Sequence, residues 1–130
     1  MNSDANLAKQ AIDGVKDLNY YNGYCSHTLK EYSPWWKLDL KMKYKINYVE
    51  ISGRSDCSFC FERLKCAEIR IGDNSDNNNP VCDVITNTSV ATTSYCCYGM
   101  EGQFLSIVIP NHTEFLTLCE VEVYGDPVTL

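Results

Sequence analysis

The chain has 130 residues, 45% of them hydrophobic, and a net charge of −6. That is one domain with enough apolar material for a real core, which excludes an intrinsically disordered chain. The acidic balance argues against nucleic acid and against an anionic membrane, both of which reward a basic face, and no apolar stretch is long enough to insert into a bilayer.

The chain opens on Met1-Asn-Ser-Asp-Ala-Asn-Leu-Ala8, which has no apolar run and no signal peptide. We therefore expect a mature segment or an excised domain. Two aromatics, Tyr20 and Tyr21, come next, followed by Cys25-Ser-His27-Thr28. Trp36 to Leu40 then alternates apolar residues with Lys37 and Asp39, which predicts a strand. Lys37, Lys41, Lys43 and Lys45 keep a two-residue spacing with Asp39 intervening, and read as a solvated strand face and turn rather than a polyanion site. Ile46 to Ser52 predicts a second strand with Val49 and Ile51 on one face.

Gly53-Arg54-Ser-Asp56 comes next, and Phe61-Glu-Arg63-Leu64 soon after. Arg54 and Asp56 taken alone would be a surface ion pair of little worth. With His27 and Arg63, Arg54 makes a cluster of fixed donors in an acidic chain. Arginine offers a rigid fork of five N–H groups and histidine a settable tautomer, a set that suits a neutral, hydroxyl-rich ligand such as a sugar.

Beyond the cluster, Ala67, Ile69 and Ile71 alternate with Glu68 and Arg70, a further strand. Asp73 to Pro80 is a polar, turn-rich loop. Phe104 to Ile109 is apolar on both faces and predicts a central strand, and Cys119, Val121 and Val123 alternate with Glu120 and Glu122. No window carries a sustained helical period. Many short strands joined by turn-rich connections indicate an all-β, antiparallel β-sandwich or jelly roll.

The eight cysteines hold a single Cys-x-x-Cys, at Cys57 and Cys60, and the only histidines are His27 and His112. Zinc patterns need more than this, so a disulfide framework made in an oxidising compartment is expected, without a connectivity that spacing can decide. Sequons at Asn87 and Asn111 agree with secretion. No serine or cysteine nucleophile stands in a recognisable setting and no paired carboxylates appear, so no enzyme activity is expected.

Twenty-six residues separate His27 from Arg54. With Arg54-x-Asp56 and the basic Arg63 followed by Leu64, that spacing resembles the signature of the F-type lectins, or fucolectins. Ala11-Ile-Asp-Gly14, Pro34-Trp-Trp-Lys-Leu-Asp-Leu40, Ala67-Glu-Ile-Arg-Ile-Gly72, Gly99-Met-Glu-Gly102 and Leu116-Thr-Leu-Cys-Glu-Val-Glu-Val-Tyr-Gly125 are similar to that family in the same order. The resemblance implies a discoidin-like jelly roll (galactose-binding-domain-like) over residues 6–125, an N-terminal extension at 1–5 and a C-terminal tail at 126–130. It also implies that the usual N-terminal edge strand is missing, since few residues precede Ala11.

The resemblance further implies that His27, Arg54 and Arg63 hold L-fucose. Tyr20 and Tyr21 would pack on its apolar face, Asp56 would orient an arginine, and Cys57 and Cys60 would lie beside the sugar. The family has adjacent cysteines there; here Ser58 and Phe59 split them, in a segment two residues longer than the family's. Trp35 and Trp36 stand where the family puts a packing tryptophan, so neither is read as a sugar platform. A structural calcium ion is implied, held by the side chains of Asp13 and Glu120 and by main-chain oxygens of Gln10, Val15, Tyr24 and Cys119. Disulfides Cys25–Cys119 and Cys82–Cys97 are implied, with Cys57–Cys60 as the split pair; Cys66 and Cys96 either pair with each other or stay free. The expected partners are fucosylated glycans or glycoproteins outside the cell, and a homo-oligomer is compatible with this. Two alternatives remain on the same fold: a discoidin-like adhesion or phospholipid-binding module with Phe59 and Phe61 as apolar loop tips, and a targeting domain cut from a larger protein.

Overall fold

The computed structural model describes residues 26–53, 64–76, 78–86 and 92–128. Among them the elements are β-strands: β1 (Ser26–His27), β2 (Glu31–Tyr32), β3 (Trp35–Ser52), β4 (Glu68–Gly72), β5 (Val81–Val84), β6 (Thr92–Val108), β7 (Thr113–Glu114), β8 (Thr117–Leu118) and β9 (Glu120–Pro127). All pairings are antiparallel. Five strands form one sheet in the order β5-β4-β6-β3-β9, and β1-β8 and β2-β7 are small separate ladders.

The two strands expected at Trp36–Leu40 and Ile46–Ser52 are one strand, β3. No reversal separates them because the irregularity is absorbed as a bend. The ladder to β6 breaks between Asp39 and Tyr44, where Lys41 takes a left-handed φ of 72°. Asp39 Oδ1 accepts the Lys41 N–H at 2.8 Å and an Nε2–H of Gln103 at 2.9 Å. These bonds, the Gln103 one first, hold the Asp39 carboxyl below its ordinary pKa. The expected solvated lysine face is observed, with Lys41, Lys43 and Lys45 exposed. A second irregularity lies between Ile46 and Tyr48, opposite Tyr98 and Gly99, which both have positive φ. Such bulges bend a ribbon and sharpen its twist.

Both halves of bent β3 feed one buried cluster, Trp36 from the first and Ile46, Val49 and Ile51 from the second. Ile69 and Ile71 of β4 and Leu105 and Ile107 of β6 join it. The expected facing of Val49 with Ile51, and of Ala67 with Ile69 and Ile71, is thus observed. Phe104–Val108 does form a central strand segment, flanked by β4 and β3, with Ile109 just past its end, although its Ser106 is a buried polar residue. Gly102 permits the tight corner there: a Cβ on it would stand 2.5 Å from the Gly72 nitrogen.

The expected turn-rich loop after β4 is knotted by Asn79, 2% exposed. Its Nδ2 donates to the Asn74 carbonyl at 2.9 Å and its Oδ1 accepts the Asn74 N–H at 3.0 Å. The expected Cys82–Cys97 disulfide is formed, with Cα atoms 5.2 Å apart. It ties edge strand β5 to a part of β6 with which β5 has no ladder.

Candidate functional site

The strand pairing draws together the chain positions that carry or flank the expected sugar contacts. His27 lies opposite Thr117 and Ser26 opposite Leu118. One residue further, the Cys119 N–H donates to the Ser52 carbonyl at 2.8 Å, and Ser52 itself lies opposite Glu120. The short run 117–120 is therefore a bridge with His27 on one side and the end of β3 on the other. Arg54 follows Ser52 by two residues, after a buried Gly53.

The bridge is rigid for local reasons. Thr28 is 1% exposed. Its N–H donates to the Leu116 carbonyl at 3.0 Å, and its hydroxyl oxygen accepts the Leu116 N–H at 2.9 Å. The buried Ser52 hydroxyl bonds that of Thr92 at 2.9 Å. Beyond Arg63 the chain is anchored equally firmly. Leu64 is in the core cluster, its carbonyl accepts the Ala67 N–H at 2.9 Å, and Ala67 and Cys66 exchange backbone hydrogen bonds with Ile85, both at 2.8 Å. The segment that begins at Arg54 and ends at Arg63 thus has both roots fixed.

Arg54, Asp56, Cys57, Cys60, Arg63, Tyr20 and Tyr21 lie outside the described residues, and His27 is described through its main chain only. Of the expected calcium ligands, Gln10, Asp13, Val15 and Tyr24 also lie outside them. Cys119 and Glu120 do not. Glu120, expected to alternate onto the opposite face from buried Cys119, is 2% exposed, and its Oε1 accepts the Val121 N–H at 3.2 Å. The alternation fails there because β9 begins at Glu120, opposite Ser52, in a run (116–121) that is buried throughout. A carboxylate at that depth needs a cation or several donors to offset its lost hydration. Among the described residues no group of three or more metal-ligating side chains is assembled.

Cys119 is disulfide-bonded, and its expected partner Cys25 lies outside the described residues. Cys66 and Cys96 are both free thiols and exposed, so the alternative in which they pair does not hold. The tryptophan pair is also split. Trp36 packs in the core at 1% exposure, but Trp35 is 36% exposed, so Trp36 alone takes the packing position. Strand geometry could have signalled this, since adjacent residues point to opposite faces.

A family model described as a NedA-like, galactose-binding domain matches residues 10–107. A fucolectin of Anguilla anguilla is 42% identical over 124 residues, spanning 92% of this chain and 77% of that protein. A pentraxin fusion protein of Xenopus laevis is 42% identical over 125 residues, 93% of this chain but only 30% of that protein. Among solved structures, an F-lectin (fucolectin) from the serum of Morone saxatilis, striped bass, superposes with a TM-score of 0.87 at 42% identity, covering 95% of this chain and 43% of that one.

Proposed function

Since the chain belongs to the F-type lectin (fucolectin) family, we propose that it is an extracellular, non-catalytic lectin that binds terminal L-fucose on glycans and glycoproteins. The observation that carries this reading is the 117–120 bridge. It sets the main chain of His27 beside the end of β3, so donors far apart in sequence are rooted side by side. In the proposed site His27, Arg54 and Arg63 donate to the ring oxygen and hydroxyls. Tyr20 or Tyr21 covers the apolar face of the sugar, Asp56 orients an arginine, and Cys57 and Cys60 stand alongside. Nothing is transferred; the fixed donors replace the water around the sugar hydroxyls.

Removing one hydrogen bond from a charged group costs about 1.5–3 kcal/mol. Arg54→Ala is therefore expected to weaken L-fucose binding by roughly tenfold or more, with an unchanged melting temperature. Calorimetric titration of both proteins checks this. Equal affinities, or no heat from the parent, would end the reading.

A structural calcium ion is part of the proposal. Glu120 and Asp13 would supply carboxylates, and Gln10, Val15, Tyr24 and Cys119 main-chain oxygens, the hard-oxygen set that calcium prefers. The burial of Glu120 at 2% exposure supports it. An ion bound only by the folded chain raises stability. A chelator should lower the melting temperature of the parent and leave that of Glu120→Ala unmoved. A parent melt indifferent to chelator, with no calcium by elemental analysis, would remove the ion from the proposal.

A further inference from the structure

We infer that the cleft between the start of β3 and the 73–80 loop is a second carbohydrate subsite, which takes a neutral hexopyranose residue against Trp35. The cleft has a volume of about 390 Å³, within the roughly 300–1,000 Å³ usual for small-molecule sites. Trp35, Val108 and Pro110 give it an apolar wall, and Glu68, Arg70, Asp76 and Asn78 a polar one.

Both walls are held in place before any ligand arrives. Arg70 Nε and Nη2 donate to Glu68 Oε1 at 3.1 and 2.7 Å, and Nη1 donates to the Asn79 carbonyl at 2.7 Å. Those two side chains remain 25% and 23% exposed, so they are fixed yet reachable. Lys37 Nζ stands 5.7 Å from the centre of the Trp35 ring and donates to the Ser75 carbonyl at 2.6 Å, which links the indole wall to the loop. Asp76 Oδ1 accepts the Asn78 N–H at 3.0 Å. Groups ordered in advance spare a ligand the cost of ordering them.

The charge pattern selects the ligand. Two carboxylates line the cleft with one guanidinium, whose donors are engaged on Glu68 and Asn79, and the Lys37 ammonium beside the indole is engaged on the Ser75 carbonyl, so an anion finds few free donors. In the hydrogen bonds described here Glu68 and Asp76 each use one oxygen. The second oxygens are acceptors suited to hydroxyl donors, and the Asn78 amide can give and take. A flat apolar indole with acceptors along one rim matches a pyranose, whose C–H face is apolar and whose edge carries hydroxyls. None of these residues is in the set proposed to hold fucose, so the two readings fail separately.

The ¹⁵N-labelled protein should be titrated with N-acetyllactosamine and with cellobiose, neutral disaccharides that lack fucose. At least one is expected to give a saturable shift of the Trp35 indole N–H. Trp35→Ala and Asn78→Ala should each weaken that binding by roughly tenfold or more, judged on backbone amides of β4 and the loop. Both variants should keep the parent's L-fucose affinity and the parent position of the buried Trp36 indole resonance. No shift of the Trp35 indole with either disaccharide overturns the inference. So does binding that survives both substitutions, or a cleft that answers only to a sialylated or sulfated oligosaccharide.

Discussion

Trp36→Ala should lower the free energy of unfolding by about 3–5 kcal/mol, the usual cost of truncating a buried aromatic. Trp36 is among the largest fully buried side chains, 1% exposed. It lies opposite Ile107 in the β3–β6 ladder, in the cluster to which both halves of bent β3 contribute. An empty indole volume there leaves its neighbours without contacts across the core, and β6, paired at Ile107 with β3 on one side and β4 on the other, cannot collapse to fill it. Against a total of about 5–15 kcal/mol for a domain, the loss is a large fraction. Urea unfolding followed by far-UV circular dichroism gives the number. Trp35→Ala is the internal control: at 36% exposure it should cost well under half as much. Equal losses from the two variants would mean that Trp36 does not organise the core.

The Cys82→Ser/Cys97→Ser double variant should lose about 3 kcal/mol, the chain-entropy value for a loop of this length. The two cysteines are 15 residues apart. Both are replaced together because the free thiol of Cys96 adjoins Cys97 and could capture a lone Cys82. The stabilisation acts mainly on the unfolded chain, so the urea m-value should rise as that chain expands. In the native state, amide exchange should accelerate first in β5, which is a sheet edge paired only with β4. A midpoint unchanged from the parent would show that β5 is held by its ladder and its packing alone.

The free state of Cys66 and Cys96 was beyond sequence reasoning. Cys96 adjoins Cys97 in the chain, and either could have reached Cys82 by spacing. Both lie in β6, where neighbours face opposite ways: Cys97 is buried and Cys96 exposed. The residues of the proposed sugar site were named from sequence, because donor-rich residues stand out in an acidic chain and their spacing resembles a family signature, and apart from the main chain of His27 they lie outside the described residues. What joins His27 to the end of β3 was not legible, since it depends on strand pairs among residues 26–28, 52 and 116–120 that no local pattern announces. The Trp35 cleft was missed because Lys37, Glu68, Arg70, Asp76 and Asn78 come from three separate stretches of chain, and each is ordinary alone.

Apolar alternation at Val49–Ile51 and Ala67–Ile71, and the run Phe104–Ile109 apolar on both faces, with turn residues between, determined from sequence alone that this protein is all-β and much of what makes its core. Period-two patterning carries that information locally, because a strand turns each successive side chain to the other side. Tertiary structure alone decided three things. The stretches 36–40 and 46–52 are one bent strand, since a positive φ at Lys41 and an Asp39 side-chain bond let the ladder resume rather than reverse. Glu120 is buried, since it ends a bridge whose neighbouring residues Leu116–Val121 are buried throughout. Trp35 faces a cleft while Trp36 fills the core, since which face of a strand is covered depends on what packs there, and the packing partners of β3 lie dozens of residues away in the chain.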